Sequence, residues 1–277
     1  MADRRRVPCN GHVAHISLKG QIKGVSFRQG DLKRITKPVV GLFADPNGAM
    51  GRQLKFGEAF LELERDQASG YSFGRAEQDG YVGYVASDCL GEIKGVTHKV
   101  TALNTHVYPA ANIKTVPLMT LPFGAGLNVA NVDNGFAALH TGGYVPVQAI
   151  ELKDSYAADP VAVAQLFLGT AYLWGGDSYQ GIDCSALVQT SLQACGLKCP
   201  RDSDVQLAEA GTGFGDNVPL QRGDLVFWEG HVGIMADAQT LIHANAFHMR
   251  VAAEPLADVA ARILQMQGLE IAGRRRP

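Results

Sequence analysis

No stretch of this 277-residue chain is apolar for long. Nowhere does a hydrophobic run approach the roughly 18 residues that cross a bilayer, so no membrane span is expected. The chain also lacks an excess of charge. Its 25 Lys and Arg face 27 Asp and Glu, a formal net charge of -2, so it has no basic footprint for nucleic acid. Tryptophan is scarce, and the two present, Trp174 and Trp228, read as core or cleft wall rather than as a stacking platform for bases. Cysteine is sparse and odd in number. The five (Cys9, Cys89, Cys184, Cys195 and Cys199) have no tight spacing and are expected to be reduced thiols, not a disulfide framework. The basic start "MADRRRVPCNGHVAHISLKG" has no apolar segment of the kind a secretion signal needs, so a cytoplasmic location is expected. The arginine triplets Arg4 to Arg6 and Arg274 to Arg276 read as solvated ends.

What is present is an ordinary core-forming composition, 46% hydrophobic and 19% charged, at a length that suggests two or three domains. Two segments echo each other. "LKFGEAFLEL" (54–63) precedes "GYVGYVASDCL" (80–90), and "LPFGAGLNVA" (121–130) precedes "GYVPVQAIEL" (143–152). Each sets a Phe-Gly turn before an alternating stretch, then a Gly-Tyr-Val strand. Period-two alternation bounded by Gly, Asn, Asp and Pro predicts short half-buried strands. The pair resembles two small bacterial SH3-type β-barrels, expected over 35–95 and 96–152. A single irregular β-domain is the plainer alternative. Residues 1–34 form an extension expected to pack on the first barrel. Residues 153–160 read as a linker, and 161–277 as a further domain that makes the whole chain α+β.

Asp159 followed by Pro160 predicts a helix start, with a capping side chain before the proline tolerated at the first helical position. A second helix begins at Cys184: Leu187, Val188, Leu192 and Cys195 recur at helical spacing, Asp183 is placed as N-cap, and Gly196 supplies the stop. A thiol in the first turn of a helix sits in a field that favours thiolate, and the same backbone N–H groups can receive an oxyanion. Three short strands follow, at 225–228, 231–236 and 240–244. Antiparallel neighbours can bring His231 and His243 side by side, as base and orienter for Cys184. Each residue also has a plainer reading. Cys184 could be a packed free thiol, His231 a strand-end filler, His243 a donor to a carbonyl, and Asp183 a cap alone. Cys195 with Cys199 and His243 with His248 lack the compact paired geometry of structural zinc sites, so no metal is expected.

The run "YLWGG…DCSALV…PRDS…LQRGDLVFW…HVGIM…LIHAN" closely resembles the NlpC/P60 family of papain-like cysteine peptidases. The resemblance implies a catalytic domain of helices packed on an antiparallel sheet. It casts Cys184 as nucleophile, His231 as base, His243 as orienter and Tyr172 as hydroxyl donor to the oxyanion. It places Asp183, Ser185, Asp202 and Ser203 along the substrate side of the cleft, with Tyr81 closing its far end and Glu58 a weaker candidate for amine recognition. Where the family usually has glycine after the Cys-Ser pair, this chain has Ala186. SH3-bearing members cleave the γ-D-glutamyl-L-diamino acid bond of short murein peptides with a free N-terminal L-Ala, without a cofactor, in peptidoglycan recycling. Those peptides are therefore the expected partners, and no oligomeric state is implied. The alternatives are an exported hydrolase acting on intact wall and a catalytically silent wall-fragment binder.

Overall fold

The computed structural model describes residues 3–92 and 95–277. Residues 1 and 2, in the expected N-terminal extension, and 93 and 94, near the end of the expected first SH3-like segment, lie outside the described residues. Contacts divide the chain into two units, Met1–Asp154 and Ser155–Pro277.

The first unit is built of strands. Seven run antiparallel in the spatial order Met50–Lys55, Val39–Phe43, Val82–Ala86, Tyr71–Ala76, Ala59–Asp66, Asp31–Ile35 and Leu90–Gly91. Alternation along them buries Ile35, Leu42, Leu54, Phe60 and Val85 on one side. From the N-terminal stretch, Val13 packs with Leu63, Phe73 and Val82. Three smaller sheets between His98 and Leu152 enclose a second core around Val100, Leu121, Leu127 and Val145. The first Phe-Gly turn shows how these parts join. Phe56 is buried in the second core, and its carbonyl accepts from Gly126 N–H at 2.7 Å. Gly57, at φ +80°, passes so close that a Cβ there would run into the Gly126 carbonyl, so the turn needs glycine twice over.

The second unit has four helices: α1 (Pro160–Leu166), α2 (Cys184–Ala194), α3 (Ser203–Glu209) and α4 (Leu256–Gln267). Its antiparallel sheet comprises β1 (Thr212–Phe214), β2 (Leu225–Trp228), β3 (His231–Met235), β4 (Thr240–Asn245), β5 (Arg250–Pro255) and β6 (Gly273–Arg276), in the order β1-β6-β2-β3-β4-β5. On one face Val226, Trp228, Met235 and Leu241 pack against Val259 and Ile263 of α4. From the opposite side α1 and α2 pack on β3, and α2 also reaches β4. Among the described residues no helix is long and apolar enough to cross a membrane.

The starts of α1 and α2 follow their caps. Asp159 accepts from Val161 N–H at 2.9 Å, Asp183 accepts from Ala186 N–H at 2.8 Å, and Gly196 ends α2 at φ +78°. The C-terminal arginine triplet corrects the expectation of solvated ends, whereas Arg4 and Arg6 of the first are exposed as expected. Arg274 to Arg276 form half-buried β6, where Arg276 grips the fully buried Asp224 at 2.8 Å and Arg275 donates to carbonyls at 207, 210 and 211. At the other end Arg5 pairs with Asp3, while its carbonyl accepts from Val82 N–H. A basic run packs when each guanidinium meets carbonyls or a carboxylate, and local composition does not reveal those partners.

Candidate active site at the start of helix α2

The Trp-Gly-Gly turn and the start of α2 are held by one carboxylate. Asp183 Oδ1 accepts from Ala186 N–H, from Ser185 Oγ at 3.2 Å and from Arg201 at 3.0 Å. Its Oδ2 accepts from Gly175 N–H at 2.9 Å and from Arg201 at 2.6 Å. Gly175 reaches that position at φ +73°, a conformation that disfavours any side chain. Arg201 also donates to Ser185 Oγ at 2.7 Å, and Asp183 holds it charged against burial. Asp183 thus acts as a cap and clamp whose oxygens are engaged inside the fold.

Cys184 is the first residue of α2 and only 7% exposed. The backbone N–H groups of Val232 and Ser185 lie near enough to its sulfur to favour the thiolate, so the thiol lies beside the residue that follows His231. The expected thiolate-favouring field does not win here. A helix start is worth at most about 2 kcal/mol, whereas burial can move a pKa by roughly 3–5 units. Burial, seconded by the Asp183 charge, pushes the Cys184 thiol up to about 12 against those two N–H groups and Arg201.

Strand register explains how the histidines meet. Trp228 opposes His231 across β2 and β3, and Met235 opposes Leu241 across β3 and β4. Opposed residues share a face, so His231 and His243 both project on the face that carries α4, as diagonal neighbours. His231 Nε2 and His243 Nδ1 are 2.8 Å apart. Burial first, then His243 and Arg262, lowers His231 to about 3, which leaves its ring neutral over the ordinary pH range. Burial also lowers His243, opposed by Glu254.

Beyond His243 the contacts continue to groups that sequence reasoning missed. His243 Nε2 lies 2.8 Å from Glu254 Oε1 and 3.1 Å from Asn245 Nδ2. Arg262 of α4 donates to both Glu254 oxygens at 2.7 and 2.9 Å, and His248 Nε2 stands 3.0 Å from Oε2. Burial opposes it, yet hydrogen bonds from Arg262, His248 and His243 hold the Glu254 carboxyl down to about 2. No local signal in "RVAAEP" put Glu254 on this face; its pairing with Leu241 across β4 and β5 does.

Tyr172 is half-buried near the sulfur. Burial, then the Cys184 and Asp183 charges, raises its hydroxyl to about 12, which keeps the proton on as a donor. With Trp228, His231, His243, Phe247 and Met266 it lines a cavity of about 330 Å³. Ser185 is buried within the Asp183–Arg201 clamp. Asp202 precedes α3 with no side-chain hydrogen bond to the helix end, and Ser203 is the first residue of α3. Glu58 and Tyr81 belong to the first unit. There Glu58 is buried 3.6 Å from Arg52 and 3.8 Å from Lys55, and the Tyr81 hydroxyl lies against Gly51.

A family model described as NlpC/P60 family matches residues 169–263, and one described as a bacterial dipeptidyl-peptidase Sh3 domain matches 42–90. The chain is 38% identical over 99 residues to a γ-D-glutamyl-L-lysine dipeptidyl-peptidase of Bacillus subtilis, a match covering 32% of this chain and 32% of that protein. It is 31% identical over 143 residues to a probable endopeptidase of Corynebacterium glutamicum, covering 48% of this chain and 66% of that one. A γ-D-glutamyl-L-lysine dipeptidyl-peptidase of Bacillus cereus matches over 21% of its length, so the chain spans a third or less of these two dipeptidyl-peptidases. Among solved structures, an NlpC/P60 family protein from Bacillus cereus superposes with a TM-score of 0.74 at 18% identity, covering 89% of this chain and 99% of that one, a likeness of fold.

Proposed function

We propose that this chain, which carries an NlpC/P60 domain preceded by a bacterial dipeptidyl-peptidase SH3 domain, is a cysteine peptidase of peptidoglycan peptides. Its bond is the γ-D-glutamyl-L-diamino acid link of short murein peptides with a free N-terminal L-Ala. The similarity to Bacillus proteins named γ-D-glutamyl-L-lysine dipeptidyl-peptidase supports the choice of bond. One observation carries the peptidase reading: the Cys184 sulfur, at the first residue of α2, lies beside the backbone N–H of Val232, next to His231, whose Nε2 is held by His243.

The chemistry follows from neutral partners. His231, half-buried yet desolvated enough to stay neutral, takes the thiol proton as the sulfur attacks the γ-carbonyl carbon of D-glutamate. Creating a thiolate in a buried place is costly, and the neighbouring imidazolium that forms in the same step offsets it. The tetrahedral oxygen is met by the Cys184 N–H and the Tyr172 hydroxyl. His231 then hands its proton to the departing amine, and water releases the acyl group from sulfur.

The test is incubation with L-Ala-γ-D-Glu-L-Lys and its diaminopimelate counterpart, read by mass spectrometry, beside Cys184→Ala. The parent is expected to release L-Ala-γ-D-Glu and the variant none. A parent that binds the peptides without cutting them sinks the peptidase reading. Release from intact sacculi at a rate equal to that from free peptides would favour a wall hydrolase instead.

A further inference from the structure

We propose that Glu254, anchored by Arg262, is a positioning residue of this site: its carboxylate selects the tautomer of His243 and thereby leaves Nδ1 of His231 as the proton-accepting nitrogen. The chemical role rests on the peptidase reading, whereas the tautomers rest on geometry alone.

Arginine keeps its proton throughout the ordinary pH range, and Arg262 donates to both Glu254 oxygens, so the carboxylate faces its neighbours ionised. An ionised carboxylate only accepts. Since Glu254 Oε1 is 2.8 Å from His243 Nε2, the His243 proton sits on Nε2. A neutral imidazole has one N–H, so Nδ1 of His243 carries a lone pair. That lone pair stands 2.8 Å from His231 Nε2, which must donate to it. Neutral His231 is left with its own lone pair on Nδ1. The line crosses three neighbouring strands, because Leu241 opposes Glu254 and His243 opposes Ala252, which puts Glu254 on the histidine face one diagonal further on.

One contact pulls the other way. Asn245 Oδ1 accepts from His248 N–H at 2.8 Å, which fixes the amide and points Nδ2 at His243 Nε2 from 3.1 Å. That donor would favour a lone pair on Nε2. The charge-assisted bond to Glu254 is shorter and roughly twice as strong as a neutral one, so the carboxylate decides. The titratable and charged groups around His243 are therefore His231 on β3, Glu254 on β5, His248 in the turn after β4, and Arg262 on α4. During turnover the proton leaving Cys184 goes to His231 Nδ1 and on to the departing amine, and none passes along the relay.

Wild-type protein is first examined by ¹⁵N NMR of its histidine rings. The expected result is His231 and His243 both protonated at Nε2 and bare at Nδ1; the reverse tautomers overturn the proposal with no variant needed. In Glu254→Gln, kcat on the tripeptide should fall about 10–100-fold, as for other outer-shell orienting partners, with KM little changed. The acid limb of its rate profile should move to lower pH, because the imidazolium loses a stabilising charge. Alkylation of Cys184 by iodoacetamide, which needs no substrate, should slow in the same variant. A role confined to structure would lower the folded fraction and leave the limb in place. Unchanged rates and an unmoved limb in Glu254→Gln overturn the proposal. If the wild type shows the expected tautomers and Glu254-dependent alkylation yet cuts no murein peptide, the relay stands and the peptidase reading falls.

Discussion

Arg201 with Asp183 and Arg262 with Glu254 are both arginine–carboxylate pairs of the second unit, yet their carboxylates direct the remaining contacts to different groups. Asp183 turns to the backbone: it takes the N–H groups of Gly175 and Ala186 and so fixes where α2 begins. Glu254 turns to a ring, His243, which in turn meets His231. The first pair holds the path of the chain and the second the position of a proton. A buried ion pair is no guarantee of net stability, but removing one partner leaves a charge stranded, and what that charge faces decides the consequence.

The sharpest way to break this comparison is Arg201→Ala. It strands the Asp183 charge beside Cys184 in a buried place, at an expected cost of about 3–5 kcal/mol. Circular-dichroism melting should show it, and a melting temperature equal to that of the parent would mean the clamp holds nothing.

Acid provides the next test. His231 has a folded pKa of about 3 against an ordinary 6.5, so the unfolded chain takes the proton first and stability drains away as pH falls from about 6.5 toward 3. Glu254, at about 2 against 4.5, adds a loss of the same sign at lower pH. Melting temperature against pH should decline through both windows, and His231→Gln should flatten the upper one. A profile that His231→Gln leaves unchanged contradicts the desolvated neutral ring.

Arg262→Ala separates the two pairs further. It removes charged hydrogen bonds worth about 1.5–3 kcal/mol and the contact of its guanidinium, 4.3 Å over the Phe247 ring. The rate of Cys184 alkylation should drop alongside this modest loss of stability, whereas a variant losing stability alone would make Arg262 a plain strut. The smallest effect is expected at the exposed pair of Arg222 with Asp159 at the start of α1. Arg222→Ala should cost under about 1 kcal/mol, and Asp159→Ala roughly 0.5–2 because it also removes a cap. Denaturant titration of the two variants would show whether that order is reversed.

Local signals made much of the second unit legible. Asp159 before Pro160, and Asp183 before an apolar-periodic run that ends at Gly196, marked α1 and α2 because capping is chemistry between near neighbours. The short strands read at 225–228, 231–236 and 240–244 match β2, β3 and β4 to within one residue at their ends. Cys184, His231, His243 and Tyr172 could be named; the structure sets His231 against His243, lines one cavity with both and Tyr172, and puts Tyr172 near Cys184. The raised pKa of Cys184 was not legible, because it comes from burial that no local pattern reports. Nor were the partners of Asp183, Glu254 and the last arginine triplet, which lie 18, 8 and 52 or more residues away in Arg201, Arg262 and Asp224.

By itself the sequence determined where helices and strands start and which side chains carry reactive atoms. These depend on caps, periodicity and residue type, all short-range properties. Only the tertiary structure decided the charge of those atoms and the direction of their protons. Both depend on which groups water is kept from, and on which carboxylate a strand register and a packed helix bring within hydrogen-bonding distance.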